Sequence, residues 1–332
     1  MLLEVVPTAE ERRLLLEFGG DVGSLERPEQ LLRTLACIPR LEGRLRAMRF
    51  KAQLEIDLEE LMLTPVAELG AACEAVGGSQ PLHALLQVVL DVGNALNAGT
   101  AKGNAVGFKL TTLLKLAELK AKDKKTTLLT YVLQVVRANA PAIQRVVGLH
   151  KAVKAAARVS LDELRLKKAE VERGLAQVDA EITWHDEQRL REQSEQGEGG
   201  GAAEDDQFPE VFTEFYNWAM ERKDAFDEAL ARAERLFAET SALLGEGDAK
   251  EPHEVFDTLD KFIVRFEAAM READDEQRAA EEQAARPARA PAKPKKQLRS
   301  RPSIVPGRAI PGFGALSIRR NNKDAAAAAA RP

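Results

Sequence analysis

The stretch from Leu85 to Tyr131 constrains the chain most, because it joins a strongly apolar helical pattern to a loop built around glycines. Leu86, Val89, Gly93 and Leu96 recur at the three- and four-residue spacing of one helix face. A glycine inside such a face costs roughly 1 kcal/mol against alanine, so it implies close approach of another group. Asn94 and Asn97 lie one turn apart beside that gap, and their amides can donate and accept together. Gly99, Gly103 and Gly107 then cut the pattern into a loop, and Phe108 opens the next apolar segment.

Long helices are expected on either side. Aromatic residues make up only 5% of the 332 residues, while a hydrophobic content of 45% is enough for a real core. Pro7-Thr8-Ala9-Glu10-Glu11 reads as a capping box that starts a helix through Leu14, Leu15 and Phe18, and Pro28 marks the first turn of another. From Pro39 to about Leu63 a charged helix carries Ile38, Leu41, Leu45, Met48 and Ala52, then Leu54, Leu58 and Leu61 on a shifted phase. Breaks are expected at Thr64-Pro65 and at Gly77-Gly78-Ser79, with a helix through Leu69 and Cys73 between them. After the loop come helices over Leu110–Leu119, Thr126–Ala138 and Pro141 to about Arg158. A second capping box at Ser160 opens the longest helix, with Leu164, Val171, Leu175, Val178, Ile182 and His185 on its seam and Lys168 within it. A glycine- and glutamate-rich loop spans about 194–207, followed by a helix from Phe208 to about Leu244 carrying Phe212, Phe215, Trp218, Phe226 and Leu230. The last helix is expected over Glu254 to about Ala273, and 276–332 reads as a disordered basic tail.

Most chemistries are excluded by context. The Gly99 to Asn104 segment lacks the Gly-Lys-Ser/Thr ending of a phosphate loop and follows a helix instead of a strand. Cys37, Cys73 and the four histidines show no metal-ligand spacing, and no nucleophile–base set is suggested, so neither cofactor, metal nor catalysis is expected. The net charge of −5 gives no global drive toward nucleic acid, and no apolar run is long enough for a membrane span. Two unpaired cysteines and the lack of a leader point to a soluble intracellular protein. The remaining signal is a binding surface. Lys102, Lys109, Lys115, Lys120, Lys122, Lys124 and Lys125 form a local basic cluster around the loop on an acidic chain.

The ordered series Gly93-Asn94-Ala95-Leu96-Asn97, Ala98-Gly99-Thr100, Gly107-Phe108-Lys109-Leu110 and Asp123 with Thr127-Leu128-Leu129 resembles the formin homology 2 domain. The resemblance runs from Met1 to about Asp275 and implies an all-α, elongated multi-helix bundle. In it the helices at 39–63 and 160–193 form a coiled-coil-like arm, and the loop belongs to a post-like subdomain. It implies actin as partner, a cytoplasmic place on the actin cytoskeleton, and non-covalent nucleation of filaments or holding of their barbed ends. Lys120 takes the place of an actin-contacting lysine in Lys115-Leu116-Ala117-Glu118-Leu119-Lys120, where Glu118 and Leu119 replace the family's Asp-Thr. Gly93, Asn94, Asn97, Gly99, Gly107 and Phe108 take the place of the post that receives a partner's lasso. Against the family pattern the lasso, the linker and the first part of the knob are expected to be missing before Pro7. Self-dimerisation by lasso exchange is therefore not expected, and actin assembly is expected to be weakened. The alternative is a non-catalytic helical scaffold that receives the lasso of a full-length formin and regulates it.

Overall fold

The computed structural model describes residues 2–121, 126–196 and 206–285. Among them the chain is all-α, with no strand beyond one isolated antiparallel bridge between Lys120 and Thr127. It divides into two compact units, each assembled from two separate stretches of chain. The first takes residues 1–67 and 160–234, and the second takes 68–159 and the chain from 235 onward.

In the first unit, α1 (Ala9–Glu17) starts as expected. The Thr8 hydroxyl accepts from the Glu11 N–H at 3.3 Å while the Glu11 carboxylate takes the Thr8 N–H at 2.8 Å. It packs against α2 (Arg27–Ala36), whose Arg33 donates to the Leu15 carbonyl. α3 (Leu41–Asp57) then lies along α9 (Leu161–Gln196), as the family resemblance implied. α10 (Phe208–Leu243) contributes its first part, through residue 234, to this unit. All six residues expected on the α9 seam, from Leu164 to His185, are buried. Phe212, Phe215, Phe226 and Leu230 are buried as well. Within this arm Phe50 meets Phe215 edge to face at 6.0 Å. Room for Phe50 comes from Gly174, where an added Cβ would stand 2.2 Å from its ring.

Two expectations about α3 are corrected. The buried line is Arg44, Ala47, Leu54, Leu58 and Met62, whereas Met48, Ala52 and Leu61 are exposed. Apolar periodicity missed this face because a cation sits on it. Arg44 is buried with its Nη1 on Asp206 at 3.0 Å, its Nε on His185 at 3.2 Å, and its guanidinium 4.9 Å from the Phe208 ring centre. One turn earlier, Arg40 makes a two-pronged contact at 2.6 Å to the buried Glu181 carboxylate. These partners set the local titrations. Burial, then the Arg44 charge, holds His185 below its ordinary value, and the Arg44 hydrogen bond holds Asp206 below the usual carboxylate range.

The second correction concerns Thr64-Pro65, which does not break the chain. Residues Leu58–Leu63 form a π-helical segment and α4 (Thr64–Gly77) follows directly, the Thr64 N–H reaching the Glu59 carbonyl. Proline has no N–H and crowds the carbonyl four residues back, and the wider turn accommodates it without ending the helix.

The second unit is built around α5 (Gln80–Leu96), α7 (Leu128–Asn139), α8 (His150–Ala156) and α11 (Pro252–Ala285), with the last part of α10. The Ser79 hydroxyl caps α5 by accepting from Leu82 N–H. The helix expected over Leu110–Leu119 is a single turn, α6 (Thr112–Lys115), and Pro141–Leu149 is a 3-10 segment leading into α8. α11 lays Val255, Phe256, Leu259, Phe262, Ile263 and Phe266 into the core, all at 0% exposure, and packs on α6, α7 and α8. It continues ten residues past Asp275, so residues 276–285, expected in the tail, are helical. Just before that extension the helix is held by Arg137, which donates to the Met270 carbonyl at 3.0 Å and to Asp274. Residues 197–205 and 286–332 lie outside the described residues.

Candidate functional site: the glycine loop after α5

The apolar face of α5 buries Leu82, Leu85, Val89 and Gly93 in the second unit and ends on Asn97, which is fully buried. Its C-terminus is closed by the residues that follow. The Asn97 carbonyl accepts from the Thr100 N–H at 3.0 Å and from the Thr100 hydroxyl at 2.7 Å. Gly99 takes φ +79°, which suits glycine best, and Asn104 takes φ +57°, a conformation that asparagine tolerates better than most side chains. Gly103 is required for a different reason. A Cβ there would stand 2.7 Å from the Asn97 carbonyl oxygen, a rigid backbone atom.

Asn94 is the latch of this loop. Its Oδ1 accepts from the Ala105 N–H at 2.7 Å and its Nδ2 donates to the Ala105 carbonyl at 2.9 Å. Both ends of one side-chain amide thus grip both polar groups of one buried residue, as a strand neighbour would. A second clamp comes from the end of α10. Gly245 at φ +75° and the Glu246 N–H on the Ser241 carbonyl form the helix's C-cap, which leaves the Glu246 carboxylate facing the loop. That carboxylate accepts from the Leu110 N–H at 2.7 Å and from Lys109 Nζ at 3.1 Å. Beyond α6 the chain is held by Arg265, which donates to the Leu114 carbonyl at 2.7 Å and lies 3.6 Å from Glu118. The Ala121 N–H to Thr126 and Leu128 N–H to Leu119 bonds, both 2.8 Å, then pin Lys120 opposite Thr127.

These bonds sort the sequence-selected residues. Lys102, Lys115 and Lys120 are exposed, whereas Lys109 is half-buried and paired with Glu246. Lys122, Lys124 and Lys125 lie outside the described residues. Gly93 and Asn97 are buried, Asn94 is engaged within the chain, and Phe108 is half-buried. Gly99 and Gly107 face open space, with nothing within 4 Å of an added Cβ. Glu246 and Arg265 were missed from sequence. A glutamate directly after a helix-ending glycine was the available sign for the first, while the second is one cation among many on an amphipathic helix. Among the described residues no cluster of histidine, cysteine and carboxylate groups is arranged to hold a metal, and no helix is long and apolar enough to cross a membrane.

Comparison with known proteins identifies the family. The family described as Formin Homology 2 Domain matches residues 1–267. Formin-A of Dictyostelium discoideum is 30% identical over 274 residues, covering 82% of this chain and 22% of that protein. Formin-like protein 14 of Arabidopsis thaliana is 31% identical over 265 residues, covering 80% and 20%. Formin-like protein 6 of Oryza sativa subsp. japonica is 34% identical over 182 residues, covering 55% and 13%. The chain therefore spans about a fifth or less of the length of these relatives. With an all-α fold among the described residues and a family match over residues 1–267, the chain belongs to the formin homology 2 family.

Proposed function

We propose that the chain acts on actin filaments by non-covalent contact through the region Gly93 to Lys125, stabilising a nucleus or holding a barbed end. Family membership supports a formin-type role in actin assembly without bond-making chemistry. The observation that carries the reading to this region is the exposure of Lys102, Lys115 and Lys120 on a segment whose backbone is fixed from both sides. Cations presented on a fixed backbone attract an acidic protein surface and set its orientation without first having to be ordered. Lys120 is the residue we assign to the principal contact. The place of action is then the cytoplasmic actin cytoskeleton.

The test is fluorescent actin assembly with this chain beside Lys120→Asp over a range of protein concentrations. Faster nucleation, or slower elongation from filament seeds, that the substitution removes is the expected result. Assembly curves identical with and without the chain would refute the reading.

A second reading makes the same face a receptor for the lasso of a full-length formin. It is favoured by the open space at Gly99 and Gly107 beside the half-buried Phe108. Mixing with a complete formin and measuring heterodimer formation by sedimentation separates it from direct filament contact.

A further inference from the structure

Val106 is 90% exposed, more than any other large apolar side chain among the described residues. Singly exposed apolar residues are ordinary on protein surfaces. What sets this one apart is the backbone on either side of it. Ala105, immediately before, is buried and gripped by Asn94 through both its N–H and its carbonyl. Leu110, four residues on, has its N–H on Glu246. Asn104 is held at φ +57°, a left-handed conformation that few non-glycine residues adopt. A side chain displayed by an anchored backbone binds with little ordering cost, which is the condition under which one apolar group contributes its full transfer free energy. The same clamp edits the local charge. Glu246 occupies Lys109, so the exposed cation left in this loop is Lys102.

We propose that residues 98–110 form a fixed protein-contacting finger in which Val106 is the apolar anchor, Lys102 is the flanking cation, and Glu246 is the positioning residue. The surface it fits offers an apolar pocket edged by carboxylates. Resting on the function proposed above, that surface belongs to actin. The finger is distinct from the Lys120 contact because its strength comes from burial and not from charge.

The two contacts respond differently to salt, which makes the test specific. Co-sedimentation of the full chain with actin filaments is measured at low and at physiological ionic strength. Val106→Ala removes two methyl groups from a buried anchor and is expected to weaken binding about 10-fold, equally at both salts. Val106→Asp is expected to weaken it further, with thermal unfolding unchanged because the side chain makes no core contact. Glu246→Gln keeps an acceptor for the Leu110 N–H but releases Lys109, and is expected to steepen the salt dependence of binding. Lys120→Asp is expected to lose affinity mainly at low salt. If Val106→Asp binds as wild type while Lys120→Asp does not, the finger is refuted and the function stands. Absence of filament binding by the wild-type chain refutes both. If Val106→Asp changes only self-association, measured by sedimentation velocity, the valine belongs to a contact between copies and the proposal falls.

Discussion

Removing the Asn94 side chain should open the loop without unfolding the unit. Asn94→Ala deletes two hydrogen bonds and leaves the N–H and carbonyl of buried Ala105 facing the space vacated. Each bond contributes about 0.5–1.5 kcal/mol net, and an unsatisfied buried group costs about 1–3 kcal/mol. Water can reach a loop more easily than a core, so the low end of each range applies, and a loss of about 2–3 kcal/mol is expected. Urea unfolding of the full chain measures this loss, and amide exchange at Ala105 locates it. Asn94→Asp is the sharper variant. The carboxylate still accepts from the Ala105 N–H but confronts the Ala105 carbonyl with a second acceptor, so at neutral pH it should be at least as damaging as alanine. Lowering the pH through the carboxylate range protonates the introduced acid and returns a donor, so part of the loss should be recovered. A change below about 0.5 kcal/mol for Asn94→Ala, with Ala105 exchange unaltered, would refute the latch, since even one lost bond should exceed it.

Three further outcomes are expected. Gly103→Ala should destabilise the second unit by about 1–3 kcal/mol in urea unfolding, because its Cβ meets the Asn97 carbonyl and neither backbone segment can yield cheaply. His185 is held below its ordinary value in the folded state, so below about pH 6.5 the unfolded chain takes up a proton that the folded chain resists. Its contribution to stability is therefore full above that pH and falls as pH drops through the lower folded value. Urea midpoints at pH 7.5 and 5.5 should show a smaller difference for His185→Gln than for the wild type. Burial pushes the Cys73 thiol up to about 11, while Cys37 is exposed. Maleimide at pH 7.5 should therefore label Cys37 alone in the native protein, and both thiols in denaturant.

Where side chains repeat at helical spacing, the sequence was a sufficient guide. The α9 seam, the phenylalanines of α10 and α11, and the Thr8 and Ser160 helix starts follow from periodicity and capping chemistry, both of which are local. The failures occur where a distant partner changes the value of a residue. Arg44 reads as surface until Asp206 and His185 are found beside it, and a periodicity argument then places the buried face of α3 wrongly. Pro65 reads as a break because a π-helical turn is not a local preference. At the site, the loop itself was legible from its glycines, but the assignment of Asn94 was not. An amide beside a notch fits a visitor as well as it fits the chain's own backbone, and only the position of Ala105 shows which groups it holds. Lys109 is the same case. One lysine in a basic cluster is indistinguishable from its neighbours until Glu246, 137 residues away, is brought to it.

That separation has a consequence for how the protein is made. Each unit is interrupted by a stretch belonging to the other, so neither can close until chain beyond residue 159 has emerged from the ribosome. The bond from Leu110 to Glu246 spans 136 residues, and synthesis at about 5–20 residues per second leaves it unmade for roughly 7–27 s. Through that interval α7 and α8 carry apolar faces that α11 will later cover. The nascent chain is thus an early client for holding chaperones. A ribosome paused before Glu246 would leave a polypeptide with its loop lysines already translated but not yet set in place.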